Sequence, residues 1–202
     1  MLRKRVIPTL LIRGNKLIKG VKFKNHSYVG DPINIVKIFN EKYVDELLIF
    51  DIDFSILKQD LNYKLLKEIS GECNMPLTYG GGINNVDQVR KLFAIGIEKI
   101  SINSSAIQNY KLIKSLSSTF GSQSVMVTVD LKKNIFGNYY VFDWRKNKLL
   151  KKLNYQDHIK FCVENGAGEV LINIVDNEGT LKALNLNELN FLKGDRKSTR
   201  LN

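Results

Sequence analysis

Short apolar runs alternate with amphipathic segments along almost the whole chain. An apolar run of a few residues bounded by turn signals reads as a strand, whereas apolar positions recurring every three or four residues form one face of a helix. Strands are expected at 5–12, 46–52, 76–79, 99–102, 124–130 and 169–175. Helices are expected near 32–43, 59–73, 86–95, 107–118 and 155–165, with a further helix-like stretch at 186–193. Asp31 before Pro32 supplies a capping side chain ahead of a proline suited to the first helical turn. Asn85 followed by Gln88 has the form of an N-cap with a weak capping box.

The expected strands are continuous rather than alternating in hydrophobicity, the pattern of strands buried on both faces. Repeated βα units of this kind build a parallel sheet, either doubly wound or closed as a barrel. An internal repeat favours the barrel. Val44-Asp45-Glu46-Leu47-Leu48-Ile49 resembles Ala167-Gly168-Glu169-Val170-Leu171-Ile172, and the same offset of 123 positions pairs Asp53 with Asp176. Two similar halves of four βα units each would produce that spacing. The fold class is therefore α/β, a (βα)8 TIM barrel. It is expected to be incomplete, since six of eight strands fit before Val175 and the polar stretch 194–202 has no strand character.

At 202 residues the chain is long enough for one domain with a sizeable core. Its 44% hydrophobic and 25% charged residues are ordinary for a globular protein. No apolar run approaches the roughly 20 residues needed to span a bilayer. The segment Met1-Leu2-Arg3-Lys4-Arg5 lacks the features of a signal peptide. Cys73 and Cys162 have no metal-like spacing and read as buried thiols in a reducing compartment. A cytoplasmic protein is expected, with no metal, no cofactor and no membrane partner. The net charge of +11 would suit an anionic partner. Apart from one cluster over Arg145, Lys146, Lys148, Lys151 and Lys152, the charges are scattered and no nucleic-acid motif accompanies them. A solvated surface with affinity for phosphates is expected, not nucleic-acid binding.

Several motifs stand in order along the chain. They are Val21–Asn25, Gly30-Asp31-Pro32, Tyr79-Gly80-Gly81-Gly82-Ile83, Lys99-Ile100-Ser101-Ile102-Asn103-Ser104-Ser105-Ala106, Phe120-Gly121-Ser122-Gln123, Gly166-Ala167-Gly168-Glu169 and Asp176-Asn177-Glu178-Gly179-Thr180. A glycine triplet alone is more often a turn than a ligand site, but the ordered set resembles the HisF family, the cyclase subunit of imidazole glycerol phosphate synthase. The resemblance covers residues 1 to about 190, so a single truncated barrel domain of the HisA/HisF type is expected at 1–193, followed by a tail at 194–202 outside the family pattern.

The resemblance implies an active site at the C-terminal rim of the barrel. Gly82, Asn103 and Ser104 would hold one phosphate of a bis-phosphorylated ligand, with Gly81 beside them. Glycines after a strand let backbone N–H groups approach an anion. The bland alternative for Asn103 and Ser104 is a helix cap. Asp130 would be the acid–base group, against the alternative of a cap or a loop-anchoring salt bridge. Lys19, Asp51, Glu178 and Gly179 would also face substrate, Glu178 standing where the family usually has aspartate. Arg5, Glu46, Lys99 and Glu169 open expected strands, and the resemblance assigns them to the gate of an ammonia channel fed by a HisH-like glutaminase. A structural salt-bridge plug is the other reading. The second catalytic aspartate of the family corresponds to Leu11, which can neither give nor take a proton. This departure looks like a divergent branch associated with surface-polysaccharide genes, in which the barrel supplies ammonia to a sugar amidotransferase. A genuine histidine-pathway cyclase and a non-catalytic fragment are the alternatives.

Overall fold

The structure, a computed structural model, describes residues 5–53, 60–181 and the backbone of 199–201. The chain divides into two compact units, Met1–Lys19 with Ser27–Ile102, and Gly20–His26 with Asn103–Asn202.

The first unit is built on parallel strands. β1 (Thr9–Arg13) turns into the antiparallel β2 (Lys16–Val21), and β3 (Lys24–Gly30) follows, the end of β2 and the start of β3 being counted with the second unit. β4 (Leu47–Asp51) lies parallel to β1, β5 (Leu77–Gly80) parallel to β4, and β6 (Lys99–Ile102) parallel to β5. Helices α1 (Pro32–Glu41), α2 (Tyr63–Glu72) and α3 (Val86–Ala94) connect them. Each begins where an Asp or Asn side chain accepts a backbone N–H of the first turn: Asp31 from Asn34, Asn62 from Leu65, Asn85 from Gln88. Leu47, Leu48 and Ile49 are all buried, as expected of a strand covered on both faces. β1 alternates instead, with Leu10 and Ile12 buried, Leu11 half-buried between them and Thr9 and Arg13 exposed at the ends.

The second unit holds α4 (Ser104–Gln108), α5 (Tyr110–Phe120), a 3-10 turn at Ser122–Ser124, β7 (Val125–Lys133), β8 (Tyr139–Asp143), β9 (Lys148–Leu149), α6 (Tyr155–Glu164), β10 (Glu169–Ile174) and β11 (Thr199–Leu201). β10 runs parallel to β7, from Glu169 opposite Met126 to Ile174 opposite Leu131. Beyond Leu131, β7 continues as one arm of an antiparallel hairpin with β8.

Several expectations are corrected. The first strand starts at Thr9, so Arg5 precedes it; Pro8 has no N–H to give and contributes only its carbonyl, to Leu48. Asp130 is not the last residue of its strand, because β7 runs on into the hairpin. Gln88 accepts the N–H of Asn84 rather than that of Asn85, so the capping box is displaced by one residue. The helix expected at 107–118 is two helices, broken at Asn109, whose side chain caps the second by accepting from Lys111. β11 occupies part of a stretch expected to lack strand character; it pairs in parallel with β10, whose backbone groups can recruit any extended segment. The helix-like stretch at 186–193 lies outside the described residues.

Candidate functional site

Asp130 is the centre of the second unit's polar chemistry. β7 is buried on both faces from Val125 to Leu131, and Asp130 interrupts that apolar run with a carboxylate only 3% exposed. Its strand partner on β10 is Asn173, whose Nδ2 donates to Oδ1 at 2.9 Å. Asn103, just beyond β6, donates from Nδ2 to Oδ2 at 2.7 Å. Burial pushes the Asp130 carboxyl up to about 6; the two amide bonds pull the other way, and the Glu178 carboxylate adds to the rise. A carboxyl poised near neutrality can both take and return a proton. Its oxygens are held by neutral amides, and it sits inside a strand, not at a helix start.

Asn103 occupies the N-cap position of α4 but makes no capping hydrogen bond. With Nδ2 spent on Asp130, its Oδ1 is buried and has no hydrogen-bond partner among the described residues. Ser104 is the first residue of α4 and half-buried. Glu178 accepts the Phe23 N–H through Oε2 at 2.9 Å and the Lys22 N–H through its carbonyl at 3.0 Å. Lys22 and Phe23 are consecutive left-handed residues, φ 52° and 61°, the backbone of a tight hairpin turn. Gly179 has φ 67°, and a Cβ there would strike the Gly20 carbonyl. Glu178 and Gly179 therefore anchor the 20–26 segment, whatever else they do.

In the first unit three of the four expected gate residues converge. The Glu46 carboxylate, 1% exposed, receives Lys99 Nζ at 3.0 and 3.2 Å, Arg5 Nη1 at 3.3 Å and the Thr78 hydroxyl at 2.7 Å. Adjacent strands β4, β5 and β6 bring Glu46, Thr78 and Lys99 side by side at their N-terminal ends. Two cations and a hydroxyl offset the cost of burying that charge. The fourth residue, Glu169, opens β10 in the second unit and is half-buried.

The other expected ligand residues of this unit have local structural reasons. Asp51, the buried last residue of β4, accepts the Asp53 N–H at 3.2 Å. Gly81, at φ 138°, lies so close to the Asp51 carbonyl that no side chain fits, and Gly80 lies against the Phe50 ring. Gly82 has φ 64°, which glycine adopts without strain. Lys19 is exposed on β2. Leu11 is half-buried on β1, opposite Phe50 on one side and Ile18 on the other.

Two residues of these clusters escaped the sequence reading. Asn173 stands between Ile172 and Ile174, and Thr78 between Leu77 and Tyr79. A single polar residue inside an apolar strand was the available signal, but only the register identifies its partner. Among the described residues, no group of three or more His, Cys, Asp or Glu side chains could hold a metal ion, and no helix is long and apolar enough to cross a membrane.

Residues 5–197 match the family described as histidine biosynthesis protein. The chain is 44% identical over 182 residues to a Pseudomonas aeruginosa protein named as a candidate imidazole glycerol phosphate synthase subunit, hisF2, covering 90% of this chain and 72% of the relative. A hisF3 protein of Vibrio vulnificus, named in the same provisional way, is 42% identical over 193 residues, 96% of this chain and 74% of its own length. The imidazole glycerol phosphate synthase subunit HisF of Lactococcus lactis subsp. lactis is 36% identical over 190 residues, 94% of this chain and 73% of the relative.

Proposed function

Because this chain belongs to the histidine biosynthesis protein family and to its HisF group, we propose that it is a HisF-type (βα)8-barrel subunit that binds a phosphorylated ligand. In this reading it receives ammonia from a HisH-like glutaminase, and Asp130 is the acid–base group of the reaction at its C-terminal rim. The single observation that carries the reading is the buried Asp130 carboxyl, poised near pH 6 between two amide donors. Gly81, Gly82, Asn103 and Ser104 are proposed to meet a phosphate, and Lys19, Asp51, Glu178 and Gly179 the rest of the ligand. Arg5, Glu46, Lys99 and Glu169 are proposed as the ammonia gate. The convergence of the first three on one carboxylate supports that role.

The test is Asp130→Asn introduced beside Leu11→Asp, which supplies the family's second carboxylate, and assayed with ammonium and the ribulosyl aminoimidazole-carboxamide nucleotide against Leu11→Asp alone. The amide keeps the shape and cannot accept the proton, so turnover should fall by a factor of about 10²–10⁴. Unchanged turnover would remove Asp130 from the chemistry.

A second reading is favoured by Leu11: the subunit supplies ammonia to an amidotransferase acting on a surface-polysaccharide sugar. Leucine where the cyclase needs an aspartate suits a protein that carries out little ring-closing chemistry. The relatives of higher identity bear only a provisional synthase name, which accords with divergence.

A further inference from the structure

Asn173 was not among the expected site residues, yet it makes one of the two side-chain bonds that define the Asp130 carboxylate. It is the register partner of Asp130, so backbone pairing alone fixes the distance between the two side chains. Asn103, just after β6 in the chain, donates to the other oxygen. Each oxygen thus has one amide donor, and rotation of the carboxylate breaks both bonds at once.

We infer that Asn173 is a positioning residue that, together with Asn103, clamps Asp130 in one orientation and couples its proton to the Asn103 amide. The coupling follows from donor and acceptor inventories. An ionised carboxylate only accepts, so it holds Asn103 with Nδ2 inward and leaves Oδ1 without a partner, as observed. A protonated Asp130 becomes a donor, and Oδ1 of the same amide is a buried acceptor without a partner that a turn of the amide would bring to it. Among the described residues the other charged group felt at Asp130 is Glu178, whose Oε2 accepts the Phe23 N–H. The inference deepens the reading of Asp130 as the acid–base group, but its test needs no turnover.

The experiment is a carboxyl ¹³C titration of Asp130 in the substrate-free protein, with the Asn103 side-chain amide followed by ¹⁵N in the same samples. Asn173→Leu keeps the shape of the side chain and removes the donor; Asn173→Gln keeps a donor. The parent midpoint is expected at about 6, rising by about one unit in Asn173→Leu and by less in Asn173→Gln. The Asn103 amide should titrate with the Asp130 midpoint. If Asn173→Leu does not fold, Asn103→Ala is read in its place and should raise the midpoint in the same direction. An unshifted midpoint in the folded variant, or an Asn103 amide that stays still while Asp130 titrates, would overturn the clamp. Absent cyclase turnover with the clamp intact would refute only the reading of the reaction.

Discussion

His158 is fully buried in α6, its Nδ1 2.8 Å from the Tyr110 hydroxyl and near the Cys162 thiol, and burial lowers its pKa from 6.5 to about 4. Asp130 is shifted the other way, from 3.8 up to about 6. Linkage gives the two opposite signs. Below pH 6.5 the unfolded chain protonates its histidine before the native state does, so the His158 contribution is lost as pH falls from 6.5 through 4. The native state holds a proton on Asp130 that the unfolded chain has already released, so that contribution is lost as pH rises from 3.8 through 6. Each is worth about 3 kcal/mol, and between pH 4 and 6 they largely cancel. Asp130→Asn removes one of them, and urea unfolding of that variant should then show stability climbing by about 3 kcal/mol from pH 4 to 6.5, more steeply than in the parent. A variant as flat as its parent would contradict the pair of shifts. What made Asp130 legible in the sequence was a charge closing an apolar run. The amides that hold it were not legible as a set, because their meeting depends on register between β7 and β10 and on Asn103 forgoing its cap.

The elements show the internal repeat more fully than the sequence did. The repeated segments become β4 and β10, one parallel strand in each unit. Each unit also opens its parallel set with a strand that runs on into an antiparallel hairpin, β1 into β2 and β7 into β8. In both, the aspartate of the repeat ties down that leading strand's far end. Asp53 accepts from Arg13 at 2.9 Å, and Asp176 accepts the Lys133 N–H at 2.8 Å. The hairpin strands are short: β2 breaks its apolar residues with lysines, and the four apolar residues that open β8 stand alone with no helical segment directly after them to mark a βα unit. The second unit further fixes the 20–26 segment through Glu178 and Gly179. Gly179→Ala would have to place a Cβ at φ 67° and against the Gly20 carbonyl. Strain and overpacking together should cost at least about 2 kcal/mol, read as a lower urea midpoint with an unchanged slope. A midpoint equal to the parent's would mean that the segment is not held there.

For the whole molecule the open choice is between a ring-closing enzyme and an ammonia supplier, and the features the two would share do not separate them. The Glu46 cluster and a net charge of +11 would suit either. The family was legible because seven short motifs stand in one order, each weak alone. The activity was not, because it turns on one position where this chain departs from the pattern. A cyclase must give a proton and take one on different sides of the reacting centre, which one carboxyl in one orientation cannot do in a single step. With Leu11 in place, turnover of the nucleotide with saturating ammonium and no glutaminase is therefore expected to be very low. Leu11→Asp would return a second carboxylate. If the pocket otherwise fits the nucleotide, turnover should rise at least about tenfold, a modest share of what general acid–base catalysis supplies. Steady-state rates of the two proteins decide the matter. Brisk turnover by the Leu11 protein would place it in the histidine pathway and show that another group, with Asp51 the nearest in kind, fills the role. Inactivity of both would mean that the pocket has diverged at more than this position and would favour the ammonia-supplier reading.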